Sequence, residues 1–139
     1  MSQATYDDVN LILRLYDIRR EDKLRAARDW YITNFKPKTA EEMFALAGPG
    51  TDGNSCFRQA VSYWDMVASF VTAGVLNEEL FFQSNREIVL FWVRLKPVVE
   101  EARKAYNDPH AWKNLQTVAE AYAEYMGPEI YEASAARVS

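Results

Sequence analysis

Thiol and imidazole groups are scarce in this chain of 139 residues, which has one cysteine, Cys56, and one histidine, His110. Transition-metal sites usually draw on several such ligands, so no metal is expected, and no motif calls for a cofactor. A single thiol cannot close an internal disulfide, which fits a reducing compartment. Nucleophilic catalysis is equally short of parts, because the one imidazole would have to serve as base for any activated serine or cysteine. No catalytic residue is assigned on these grounds.

Two other absences narrow the field. The longest apolar run, Ile88 to Val93, is far shorter than the roughly 20 residues a membrane-spanning helix needs, and Met1 to Ala4 lack a signal-peptide pattern. A cytoplasmic protein without a membrane partner is expected. Sixteen basic against twenty acidic side chains give a net charge of −4, with neither sign gathered into a block. Affinity for a phosphate backbone comes from concentrated positive charge, so nucleic acid is not an expected partner.

What is plentiful is apolar and aromatic. The hydrophobic share is 49% and the aromatic share 14%, with seven Phe, eight Tyr and four Trp. This length suits one domain, residues 1–139, with one continuous core. The aromatic surplus suggests a lined pocket or a self-association surface besides that core.

Apolar residues return every third or fourth position almost throughout, and no segment shows the two-residue alternation of a strand. The sequence therefore predicts an all-α bundle of five to seven helices. Val9, Leu13, Tyr16, Leu24, Ala27, Tyr31 and Phe35 read as one stripe on a long first helix of about 28 residues, from near Tyr6 to near Asn34. Its charged middle, Arg19 to Lys23, reads as a solvated face with Glu21–Arg25 and Arg25–Asp29 pairs at four-residue spacing, or as a bend or a partner's docking site. Lys36-Pro37-Lys38 ends it. Thr39 with Glu42 has capping-box spacing for a short helix that stops at Gly48-Pro49. The glycine-bearing loop to Ser55 reads as a linker, with anion binding assisted by Arg58 as the rival.

A third helix is expected from about Cys56 to Ala73, closed by Gly74, with Phe57, Val61, Trp64, Ala68 and Val71 as its core stripe. Asn77 caps a short helix through Phe82. Ser84 and Glu87 repeat the capping-box spacing before Ile88 to Val93, apolar on every side and hence the central helix, with Pro97 kinking or dividing it. Asp108-Pro109 reads as the start of an amphipathic helix carrying Trp112, Leu115, Ala119, Tyr122 and Met126, stopped by Gly127-Pro128. Beyond Pro128 only a turn around Ile130 and Tyr131 is expected.

One polar seam stands out. Arg58, Ser62, Asp65, Ser69 and Thr72 share a face of the third helix. Turned to solvent it carries no function; turned inward, Asp65 would need a partner, with Arg94 the natural one. Tyr63, Trp64 and Trp92 would then complete the polar end of a cavity for a small apolar ligand. The site candidates are therefore Arg58, Tyr63, Trp64, Asp65, Trp92 and Arg94.

The stretch Leu11 to Arg25, with Ser62 to Met66 and Asn77 to Phe82, resembles a family of short, uncharacterised bacterial helical proteins. That resemblance implies a bacterial cytoplasmic origin and a compact helical fold, and brings no activity. The leading functional expectation is a non-catalytic, self-associating interaction protein. The alternatives are a small-molecule binding domain at Asp65 and Arg94, and a small enzyme using Asp, Glu, Arg or Tyr as acid–base groups.

Overall fold

Thr5 opens the first helix, accepting the Asp8 N–H on its hydroxyl while the Asp8 carboxylate takes the Thr5 N–H at 2.7 Å. This reciprocal cap satisfies two amide donors that a helix start leaves free. The computed structural model describes residues 3–139, so Met1 and Ser2, half of the stretch read for a signal peptide, lie outside the described residues.

Helix α1 runs from Tyr6 to Arg19, and α2 from Asp22 to Asn34. The single long helix expected over this stretch is broken. Glu21 takes an extended backbone conformation, and its carboxylate accepts the Leu24 N–H as the cap of α2 rather than pairing with Arg25. The charged middle is thus a corner. It has a large consequence, because the two halves of the apolar stripe no longer point the same way.

After the Pro37 exit come α3 (Ala40–Ala47) and α4 (Asn54–Thr72). Thr39 caps α3 through the Glu42 N–H as its spacing predicts, although the Glu42 side chain returns to the Lys38 N–H instead of Thr39. The linker between them is packed: a Cβ at Gly53 would collide with the Trp30 ring and the Leu46 carbonyl, and Asn54 donates to the Ala47 carbonyl. Gly74, at φ +78°, closes α4 in the left-handed region as expected, with the Val75 and Leu76 N–H groups returning to the Phe70 carbonyl.

Asn77 caps α5 (Glu78–Ser84) through the Leu80 N–H. The Ser84–Glu87 capping box does not form, because the Glu87 carboxylate is drawn to Arg28 of α2. The apolar helix α6 (Ile88–Leu95) passes through a 3-10 turn at Lys96–Val98, which holds Pro97, into α7 (Val99–Ala105). The helix expected from Asp108-Pro109 starts later, as α8 (Lys113–Met126). Asp108 caps only a turn, through the His110 N–H, and Trp112 then sits at φ +60° while its ring packs on Phe57 and Tyr106. Gly127 and Pro128 end α8 and begin α9 (Pro128–Val138), a full helix where only a turn was expected.

These elements exceed the five to seven helices predicted, because the corner at Glu21 and the extra C-terminal helix each add one, whereas the division at Pro97 falls where expected. The chain is all-helical, with no strand among the described residues. Helix α4 lies between α2 and α8, and α6 is covered by α8 and α9. Tyr31, Phe35, Phe57, Trp64 and Phe91 form one run of touching rings between them. Burying a large apolar side chain contributes about 1.5–3 kcal/mol, so this run is a main source of stability.

Candidate functional site

The six residues singled out from the sequence do not converge. Arg58 is exposed on α4, whereas Trp64 and Trp92 are sealed in the core. Asp65 and Arg94 do not pair. The Asp65 carboxylate accepts the Leu115 N–H at 2.9 Å and so caps α8, whose own start offers no side-chain cap. Beside it, Thr72 donates to the Asn114 side chain at 2.7 Å. The rest of the polar seam faces water or sits half-buried.

Arg94 is buried and spreads its donors over three carbonyls. It reaches Tyr31 at 2.9 Å, Ile32 at 2.5 Å and Val138 at 2.7 Å, so one guanidinium ties the end of α2 and the end of α9 to the central helix. Burial lowers its pKa. An unanticipated second buried arginine, Arg103, does similar work by holding the Ala111 carbonyl, Glu100 and Gln116. Both act as architecture.

Little space is left beside Trp64 among the described residues. The void against it, bounded by Arg19, Tyr63 and Glu87, measures about 10 Å³, room for a single water. The expected cavity is filled by the protein's own rings. A larger concavity lies elsewhere, an open groove of about 670 Å³ between the end of α4, α5 and α8, lined by Leu76, Phe82 and Tyr125 with Glu78, Glu79 and Glu124. Among the described residues no three His, Cys, Asp or Glu side chains gather to hold a metal, and no helix is long and apolar enough to cross a membrane.

The feature that periodicity alone does not reveal is the outer face of α1. Tyr6, Val9, Leu13 and Tyr16 lie three, four and three residues apart on one side of the helix, and are 78%, 41%, 57% and 47% exposed. Val9, Leu13 and Tyr16, expected on the buried stripe, are thus at the surface. The core-facing side of α1 is a different set, Asp8, Leu11, Ile12 and Leu15. Seven apolar residues between Val9 and Ile18 are more than one buried face of a short helix uses, and that surplus is the signal the sequence offers.

Three contacts hold α1 in this attitude. At its start Asp8 accepts the Asn77 N–H at 2.9 Å, and this bond, then the one from Thr5, lowers the Asp8 pKa. In its last turns the Tyr63 hydroxyl donates to the Leu15 carbonyl at 2.7 Å, with burial pushing the phenol up to about 12. At its end Arg19 approaches Glu87 at 3.9 Å, and Glu87 is gripped by Arg28. Tyr63 is thus part of the support for α1 rather than of a ligand pocket. The anchored side fixes the helix, and the aromatic and aliphatic side is left exposed, with the Arg19 and Arg20 guanidinium groups over the Tyr16 ring.

A family model described as a domain of unknown function, DUF4760, matches residues 4–122. The chain belongs to this family. Among the curated proteins and the solved structures none matches. The DUF4760 match takes in α1, its three anchoring contacts and the core helices, and stops within α8 at Tyr122, so the Val138 carbonyl held by Arg94 falls outside the matched span.

Proposed function

We propose that this chain is a non-catalytic interaction protein that self-associates through the outer face of α1. The observation that carries this reading is the aligned, solvent-facing set Tyr6, Val9, Leu13 and Tyr16 on a helix anchored by its opposite side. Exposed apolar residues scattered singly are ordinary, and Met66, Val75 and Ile130 are of that kind. A contiguous face is different, since aromatic and aliphatic patches of this sort mark protein contacts. The lone, half-buried Cys56 supports placing it in a reducing, cytoplasmic setting.

A second reading, binding of a small apolar ligand, draws support from the groove beside Phe82 and Tyr125, whose volume falls in the usual range for such sites. Native mass spectrometry of freshly purified protein tests both. The first reading expects a dimer for the wild type and a monomer of unchanged helicity for Leu13→Asp. A wild type that stays monomeric at every concentration overturns it, and a retained small mass lost on Tyr125→Ala would put the second reading in its place.

A further inference from the structure

We infer that two copies pair antiparallel, α1 against α1, about a two-fold axis level with Leu11. This rests on the self-association proposed above and adds its geometry. The exposed positions 6, 9, 13 and 16 read the same in either direction, with a tyrosine at each end and an aliphatic residue at each inner place. Reversed about residue 11, Tyr6 stands level with Tyr16 of the second copy, and Val9 with Leu13. A face of this pattern complements itself, as a closed dimer requires.

Charge then chooses the direction. With about 100° between successive residues, Asp7, Asn10, Arg14 and Asp17 all fall on one flank of the stripe. Asp7 and Arg14 are exposed, and neither has an ion-pair partner within its own chain among the described residues. In the antiparallel arrangement Asp7 comes within one residue, about 1.5 Å along the axis, of the level of Arg14 of the second copy, and this happens twice. A parallel pair, related by a two-fold along the helix axes, would carry this flank to opposite sides of the contact, leaving Asp7 and Arg14 without each other and the two helix dipoles aligned. A 14-residue helix is about 21 Å long, so the contact is small and belongs at the low end of interface sizes.

Charge reversal and spin labelling test the arrangement. Asp7→Lys and Arg14→Glu should each weaken association about tenfold or more by placing like charges together. An equimolar mixture of the two variants should recover a heterodimer near wild-type strength. In that mixed pair the two introduced charges, opposite in sign, face each other, and the unaltered Arg14 of one chain meets the unaltered Asp7 of the other. Labels at Asn10→Cys and, separately, Asp17→Cys in a Cys56→Ser background report direction. The antiparallel pair separates the two 17-position labels by about 18 Å along the axis and the two 10-position labels by only about 3 Å. Equal distances at both positions would overturn the antiparallel arrangement while leaving self-association standing. A mixture that fails to recover would overturn the charge pairing. Absence of any dimer in the wild type would sink the reading beneath both.

Discussion

Helices α1 and α8 are both 14 residues long, and both carry apolar residues at steps of three and four. In α8 the stripe Leu115, Val118, Ala119 and Tyr122 is sealed against α4 and α6, while in α1 the stripe Tyr6, Val9, Leu13 and Tyr16 faces water. Periodicity identifies a helix and says nothing about what will cover its face. The difference lies in the neighbours. Helix α8 has one apolar side and meets three other helices across it, whereas α1 has two apolar sides, of which Leu11, Ile12 and Leu15 fill the one place the body offers.

The sharpest way to break this contrast is matched truncation. Leu115→Ala should destabilise the chain by about 3 kcal/mol in urea unfolding, the usual cost of a buried leucine, and Arg94→Met should cost a comparable amount by orphaning the Ile32 and Val138 carbonyls and taking one of two donors from the Tyr31 carbonyl. For Arg94→Met a second signature is loss of amide protection in α9. Leu13→Ala, at the corresponding kind of position on α1, should change monomer stability by less than about 0.5 kcal/mol. Equal costs for the two leucines would show that α1 is packed as α8 is.

Between those extremes lie the contacts that hold α1 in place. Tyr63→Phe removes one buried hydrogen bond and should cost about 1 kcal/mol. Its pH dependence carries a sign. The folded phenol is raised above the ordinary value of 10.0 to about 12, so its contribution is complete below pH 10 and lost as pH climbs through 12. Wild type should therefore lose stability in that alkaline window faster than Tyr63→Phe.

Asp8 behaves in the opposite sense. Its folded pKa lies below the ordinary 3.8, lowered first by the Asn77 N–H, so its contribution is present above that value and lost as pH falls through the folded one. The urea midpoints of wild type and Asp8→Asn should differ at neutral pH and converge in strong acid. A gap that persists in strong acid would place the role of Asp8 elsewhere.

Much of the fold was legible from residues. Gly74, Asn77, Pro97 and Gly127-Pro128 each set a boundary where local chemistry dictates one. Three of the departures share a cause, which is that a side chain found a distant partner the local pattern cannot show. Glu87 left its expected cap for Arg28, Asp65 left Arg94 to cap α8, and Arg94 found the end of a helix that was not expected to form. Aromatic surplus is likewise a poor guide to a pocket, since Tyr31, Phe35, Phe57, Trp64 and Phe91 fill the core instead of lining one. Where the surplus does reach water, on α1, the clue lay in counting apolar residues against the one face a short helix can bury.

Sedimentation equilibrium of the full chain across a concentration series bears most directly on whether a second copy covers α1. The account predicts an average mass climbing with concentration from 16.0 kDa toward twice that value, and a Leu13→Asp variant that stays at 16.0 kDa with the same helical dichroism. A wild type fixed at the mass of one chain up to the highest concentration reached would contradict it.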